Sequence, residues 1–263
     1  MTELLAPAKI NLALVVGPKR PDGRHEVVTV LQRISLADRI ALEPADELQV
    51  EGFAEDTIVR RALEQLAQTA DTASNWRVTI DKQIPVAAGL GGGSSDAAAA
   101  LRLANWTLRR PLNDGALQDL AAPLGADIPF FLTSGPQLAE GDGTELQPLR
   151  LPQDYWILLL LAHGERKQST KAVYDAFTGE EGFAERRAEV LRALALGDLG
   201  ALPPNDLASS PLADELRAHG AFRADVSGAG PAVYGLFAEQ DEALAAHAAL
   251  AGRGPSWITA PAW

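Results

Sequence analysis

The chain contains no cysteine. Disulfides, thiolate nucleophiles and cysteine-built zinc sites are thereby excluded. Histidine is scarce as well. The four histidines are scattered, without the HxxxH-type spacing of a helical metal site, and make no case for a histidine-rich metal centre. Long apolar runs are missing. The most apolar stretch, residues 156–162, is far shorter than the roughly 20 residues that cross a bilayer, and it reads as a buried strand. No basic run precedes the apolar part of the N-terminus, so it does not read as a signal peptide. Positive charge is in deficit too. A formal net charge of −12 argues against a nucleic-acid duplex or an anionic membrane as partner. A small anionic ligand is still allowed, because a few local donors can hold a phosphate on an acidic protein. The expectation is a soluble, cytoplasmic protein acting on a small molecule, as monomer or homodimer.

What is present is a foldable core. With 263 residues, 47% of them hydrophobic, the chain suffices for one large domain or two moderate ones. Loose alternation over 8–16, the Pro-Asp-Gly turn at 21–23 and the run 29–44 predict two strands joined by a turn. Residues 46–53 and 76–85 alternate like further strands. Residues 56–70 place Val59, Leu63, Leu66 and Ala70 on one helical face, with Asp56 as a plausible N-cap. A helix runs to about Leu108, and another over 113–132 stops near Gly125 and restarts near Pro129. After 156–162 come helical stretches at 170–177, 184–196 and 210–219. A strand pair then flanks the loop 227–232, and a last helix begins near Gln240. Strands and helices mix without strict alternation, which favours an α+β fold in two lobes with a boundary near 148–154. The domains expected are 1–150 and 151–263.

One segment demands explanation: Pro85, Val86, Ala87, Ala88, Gly89, Leu90, Gly91, Gly92, Gly93, Ser94 and Ser95, followed by Asp96 and four alanines. Glycine permits positive φ and close approach of another group. A glycine loop feeding a helix aims free N–H donors and the positive helix end at one point, which is an anion site. Ser94, Ser95 and Asp96 suit the first turn as capping residues. Two familiar phosphate patterns fail. No lysine follows the glycines as GxxxxGK[ST] requires, and Ser94 stands where GxGxxG needs its last glycine. The loop therefore binds by backbone and dipole, and a cation must come from elsewhere. The plain alternative, a flexible surface turn, sits poorly with so many glycines directly before a helix.

Three separated stretches then fit one pattern. The loop PVAAGLGGGSSDAAAA resembles the central phosphate motif of the GHMP small-molecule kinases. PAKINL (7–12) resembles their N-terminal motif, and DVSGAGPAVYGLF (225–237) their C-terminal one. Within that superfamily the RPDGRHEV turn, LGADIPFFL (124–132) and PNDL (204–207) are most similar to the branch that phosphorylates 4-diphosphocytidyl-2-C-methyl-D-erythritol. The resemblance implies a two-lobed GHMP kinase fold with the active cleft between lobes, and transfer of the ATP γ-phosphoryl group to a substrate hydroxyl. It implies that Asp127 is the catalytic acid and Lys9 the catalytic lysine, and that residues 85–95 bind ATP. It places Asn11 and His25 toward the substrate, His25 near the cytosine ring, with Tyr174 as an aromatic cover. Mg²⁺ is expected on phosphate oxygens and one hydroxyl, that of Ser95. Two positions depart from the family: Arg24 stands where tyrosine is usual, and Thr57 where asparagine is common.

Each assignment has a plainer reading. Asp127 could cap the segment at Pro129, Lys9 could be a solvated strand lysine, and His25 an exposed turn residue. Tyr174 could be core with Phe177. Asn205 and Asp206 could cap the next segment, and residues 185–192 read as a solvated helix face. Two other functions compete: a homoserine-type or mevalonate-type kinase of the same superfamily, and a nucleotide sensor without catalysis. His25 and its turn weigh against the first, the joint presence of Lys9 and Asp127 against the second.

Overall fold

The computed structural model describes residues 1–54, 57–162, 170–179 and 181–262. In chain order the elements are β1 (Thr2–Lys19), β2 (His25–Pro44), β3 (Gln49–Glu51), α1 (Ile58–Thr69), β4 (Trp76–Asp81), α2 (Gly92–Thr107), α3 (Asp114–Ala121) and α4 (Ile128–Phe131). There follow β5 (Gln137–Glu140), β6 (Glu145–Pro148), β7 (Trp156–Leu161), α5 (Thr170–Ala176), α6 (Phe183–Leu196) and α7 (Pro211–Ala218). The chain closes with β8 (Arg223–Val226), β9 (Ala232–Phe237), α8 (Gln240–Leu250) and β10 (Ser256–Thr259). The mixture is α+β, as expected. Strands β5, β6 and β10 were not foreseen. Asp56, expected to cap α1, lies outside the described residues; the N-cap position is held by Thr57, whose side chain makes no capping bond.

Packing groups the residues into two units that interleave along the chain. The first comprises 1–8, 36–86 and 91–134; the second comprises 9–35, 87–90 and 135–263. In the first, β4 pairs antiparallel with the C-terminal half of β2, Ile40 opposite Ile80, and parallel with β3. Helix α1 buries Val59, Ala62, Leu63, Leu66 and Ala67, a stripe at the expected 3.6 period shifted off Ala70. It packs on α2, whose four alanines 97–100 are all buried. Small side chains at that contact let the two helix backbones approach closely. Helix α3 ends at Ala121 and α4 restarts at Ile128, with Pro129 in its first turn, where a missing N–H costs nothing.

In the second unit the N-terminal half of β2 pairs with β5, Val30 opposite Leu138, and β5 with β6. A second, antiparallel sheet has the order β10-β7-β9-β8. The apolar strand β7 is, with β9, one of its two inner members, and Ile157 to Leu160 are buried on both faces, which explains the unbroken run of leucines. Leu158, Leu160, Val226, Val233 and Phe237 of the sheet form one core with Leu212 and Leu216 of α7 and Ala243, Ala246 and Leu250 of α8. The buried Arg223 ties the segment before α7 to β8, donating to the carbonyls of Leu202 (2.5 Å) and Pro203 (2.9 Å).

Candidate active site

Lys9 and Asn11 are two residues apart on β1 and so share one face. Both are buried. Lys9 Nζ donates to Asn11 Oδ1 at 2.7 Å, and Asn11 Nδ2 donates to Thr29 Oγ1 at 2.8 Å. Lys9 is therefore not a solvated strand lysine. Its backbone N–H donates to the Leu90 carbonyl at 2.9 Å, and the Ala232 N–H donates to Ala88 O at 3.0 Å. Ser227 Oγ donates to Gly89 O at 3.1 Å. Loop residues 88–90 are thus held between β1 and the loop 227–232. Gly89 has φ +81°, and a Cβ there would sit 2.4 Å from Ser227 O, so only glycine fits. A Cβ on Gly228, φ +59°, would lie 3.3 Å from Asn11 Oδ1 and 3.6 Å from Lys9 Nζ. Three stretches far apart in sequence meet here within one unit. Thr29 and Ser227 complete the group; Ser227 lies within the C-terminal motif, whereas Thr29 carried no sequence signal.

His25, in the same unit, is buried at the start of β2 rather than exposed in the turn. Its Nδ1 lies 2.8 Å from the carbonyl oxygen of Gly17. A carbonyl only accepts, so Nδ1 carries the proton, and in the neutral ring Nε2 is left as an acceptor. Nε2 is buried without a hydrogen-bond partner among the described residues. The rings of Tyr174 and Phe177 stand 6.0 and 5.9 Å from the imidazole. Arg24, beside it in sequence, is ion-paired with Asp142. Burial pushes Asp142 up, but bonds from the Thr144 hydroxyl and N–H and the Arg24 pair outweigh that and hold it low. Asn205 and Asp206 do not cap a helix. Asn205 Nδ2 donates to the carbonyls of Val226 (2.9 Å) and Gly228 (2.7 Å), and Asp206 Oδ2 accepts the Val16 N–H at 2.8 Å. A cavity of about 690 Å³ is lined by Phe177, Gly179, Asp206, Leu207, Ser209 and Pro231.

The first unit holds Pro85, Val86, Gly91 to Ser95 and Asp127. The N-cap of α2 is Gly91, φ +69°, not a serine, and no side chain caps the helix. No side chain at the N-cap therefore takes up the first-turn N–H groups, an arrangement that suits an anion. Ser95 and Asp96 are buried inside that turn instead of capping it. Lys82 Nζ bonds to the buried Asp38 and, at 2.8 Å, to Asp96 Oδ2. It lies 3.3 Å from where a Cβ on Gly92 would be, so a lysine preceding the glycines stands at the helix start, its charge offset by the two carboxylates. Asp96 is pushed up to about 7, first by burial and then by the nearby Asp38, against the pull of Lys82. Ser95 Oγ is buried without a partner among the described residues, so its lone pairs are uncommitted. That suits a magnesium ion held mostly by phosphate oxygens, which needs few protein ligands. Among the described residues no group of three His, Cys, Asp or Glu gathers as a metal cage. Asp127 occupies the N-cap position of α4, yet its side chain makes no capping bond. The plain capping role is therefore not the one it fills.

Two domain models define the class of protein. The GHMP kinases N terminal domain matches residues 57–135, and the GHMP kinases C terminal model matches 185–256. The 4-diphosphocytidyl-2-C-methyl-D-erythritol kinase of Syntrophus aciditrophicus is 35% identical over 98% of this chain and 97% of its own. That of Nocardia farcinica is 39% identical over 95% and 89%. A crystal structure of a 4-(cytidine 5'-diphospho)-2C-methyl-D-erythritol kinase superposes over 100% of both chains, with TM-score 0.83 and 33% identity. The homoserine kinase of Cytophaga hutchinsonii, at 16% identity and TM-score 0.76, shares the fold. The chain belongs to the GHMP kinases, and within them to the family of the 4-diphosphocytidyl-2-C-methyl-D-erythritol kinases. No described helix is long and apolar enough to cross a membrane.

Proposed function

We propose that the chain is an ATP-dependent kinase that phosphorylates the 2-hydroxyl of 4-diphosphocytidyl-2-C-methyl-D-erythritol, giving the 2-phosphate and ADP in isoprenoid precursor synthesis. The observation that carries this is the meeting of Lys9 and Asn11, Gly89, and Ser227 and Gly228, brought by three different family motifs, in a chain related end to end to such kinases. Residues 85–95 would cradle the triphosphate of ATP. Uncapped amides at the start of α2 supply fixed donors that need no reorganisation as charge develops. Bound Mg²⁺ would neutralise further phosphate charge, with Ser95 Oγ as its protein ligand.

Asp127 takes the proton from the attacking hydroxyl. As the new O–P bond forms, the bond from the γ-phosphorus to the bridging oxygen breaks, and ADP departs. Little proton transfer need precede a loose transition state, so an ordinary carboxylate suffices. Lys9, oriented by Asn11, stabilises the developing charge. His25 receives the exocyclic amino group of cytosine on its unpartnered Nε2, and Tyr174 covers a face of the ring. The domains proposed are 1–150 and 151–263, one family model falling on each side of 150, although packing groups residues 9–35 and 87–90 with 135–263. A cytoplasmic location and a monomeric or homodimeric state go with the reading.

The test offers MgATP with one alcohol at a time and follows ADP release. Turnover with the cytidyl diphosphate substrate, and none with homoserine or mevalonate, is expected. Turnover with either of the latter selects the other kinase reading. ATP binding without turnover on any alcohol selects the sensor.

A further inference from the structure

The helix face that reads as solvated, residues 185–192, contains a residue with structural work to do. Arg186 is only half-exposed and converges on four acceptors. Its Nη1 donates to Glu181 O at 2.8 Å, and its Nη2 lies 3.0 Å from Gly179 O, 3.4 Å from Val16 O and 3.2 Å from Asp206 Oδ2. Asp206 Oδ2 also accepts the Val16 N–H at 2.8 Å. Both backbone groups of Val16 are thus fixed by this ion pair. The next carbonyl along, Gly17 O, sets the tautomer of His25. The ring of Phe183, in the first turn of α6, presses on Gly17, where a Cβ would lie 2.8 Å from it.

The other two acceptors, Gly179 and Glu181, follow α5. That helix contains no buried residue, so its own packing does little to hold it. Yet α5 and the residue just beyond it carry Tyr174 and Phe177, the rings that stand against His25. A single guanidinium therefore ties down the strand that orients the imidazole and the segment that brings the aromatic rings to it. The planar fork of arginine can serve several carbonyls and a carboxylate at once, which an ammonium cannot match.

We propose that Arg186, seated by Asp206, is a positioning residue for recognition of the substrate's pyrimidine base: it sets the spacing between His25 and the Tyr174/Phe177 pair. This rests on the reading of that cluster as the base site. The ligand it tunes is a cytidine diphosphate group, and it does not touch the transferred phosphoryl.

The test compares wild type with Arg186→Met, Arg186→Lys and Asp206→Asn, with Arg192→Met on the exposed side of α6 as control. Steady-state kinetics with the cytidyl diphosphate alcohol, calorimetric titration with cytidine 5'-diphosphate and the ¹⁵N signals of the His25 imidazole are read together. Arg186→Met is expected to weaken base-dependent binding, KM and Kd both, by about tenfold or more, as a small displacement of a binding group does. The KM for ATP and kcat at saturation hold within about twofold, the pattern of lost substrate binding. Arg186→Lys keeps the charge without the fork and falls between. Should the methionine variant fail to fold, the lysine and asparagine variants carry the comparison. Unchanged KM for the cytidyl substrate in a folded variant overturns the proposal, as does a parallel rise in the KM for ATP. If wild type neither turns over that substrate nor binds cytidine diphosphate, the functional reading fails. The positioning claim is then decided by His25: loss of the single Nδ1–H tautomer in the variants supports it, and unchanged ¹⁵N signals overturn it.

Discussion

Replacing Lys82 with methionine removes the ammonium that separates two buried carboxylates. Asp38 is 0% and Asp96 1% exposed, and both bond to Lys82 Nζ. Asp38 has other support, accepting the N–H groups of Gln83 (2.5 Å) and Ile84 (2.8 Å) on Oδ1. Asp96 has none, its Oδ1 being without a partner among the described residues. Removing one partner of a buried ion pair costs roughly 3–5 kcal/mol. Asp96, already raised to about 7, takes up a proton and relieves part of that, so the low end, about 3 kcal/mol, is expected near pH 7. At roughly 2–4 °C per kcal/mol this lowers Tm by about 6–12 °C. The sign with pH follows from the same shift. The folded-state pKa of Asp96 lies above the ordinary 3.8, so the folded state binds the proton more tightly. This contribution to stability is complete below about pH 4 and is lost as pH rises toward about 7. The facing groups are Lys82 and Asp38, and without Lys82 the loss extends to higher pH. Thermal and urea unfolding of the Lys82→Met variant at pH 5 and pH 8 measures this. Lys82→Met with Asp96→Asn should recover most of the loss at pH 8. A single variant that costs under about 1 kcal/mol at pH 8, or a double variant no better than the single, would refute the reasoning.

Asp127→Asn should lower kcat by about 10²-fold or more, the usual worth of a positioned base, while Tm holds; stopped-time ADP assays beside a melting curve decide it. Ser95→Ala should raise the Mg²⁺ concentration for half-maximal rate without lowering Tm, because Oγ has no partner to lose; an unchanged Mg²⁺ titration removes Ser95 from the metal. Gly89→Ala should leave little soluble, active protein, since its φ and its contact with Ser227 O both forbid a Cβ; near-normal kinetics would show that the loop can shift. Tyr155→Phe should stabilise by about 1 kcal/mol, because its buried hydroxyl bonds to no described residue; a lower urea midpoint would mean that the hydroxyl is satisfied after all.

The sequence reading reached the glycine loop, α2 and the break before Pro129 because each rests on local chemistry: positive φ, small side chains, a missing N–H. It reached β7 through its apolar run. Strands β5 and β6, four residues each, have no such signature; QLAE and ELQP alternate too briefly to stand out. Among site residues, Lys9, Asn11 and the loop were legible through motifs. The capping role given to Ser94, Ser95 and Asp96 was not right, since Gly91 holds the N-cap position in a left-handed conformation with no side-chain capping bond, and Ser95 and Asp96 are buried. The Asp38, Lys82 and Asp96 cluster draws on three stretches, and nothing in any one of them announces the other two. Arg186 was hidden for a different reason. Three of its acceptors are backbone carbonyls, and a carbonyl leaves no mark on residue type.

The most direct measurement incubates the protein with MgATP and 4-diphosphocytidyl-2-C-methyl-D-erythritol and follows ³¹P signals. A new phosphomonoester resonance on the 2-oxygen, growing in step with ADP and nearly absent with Asp127→Asn, is the predicted result. Growth of ADP with no new ester, or an ester formed equally well by Asp127→Asn, would contradict the account.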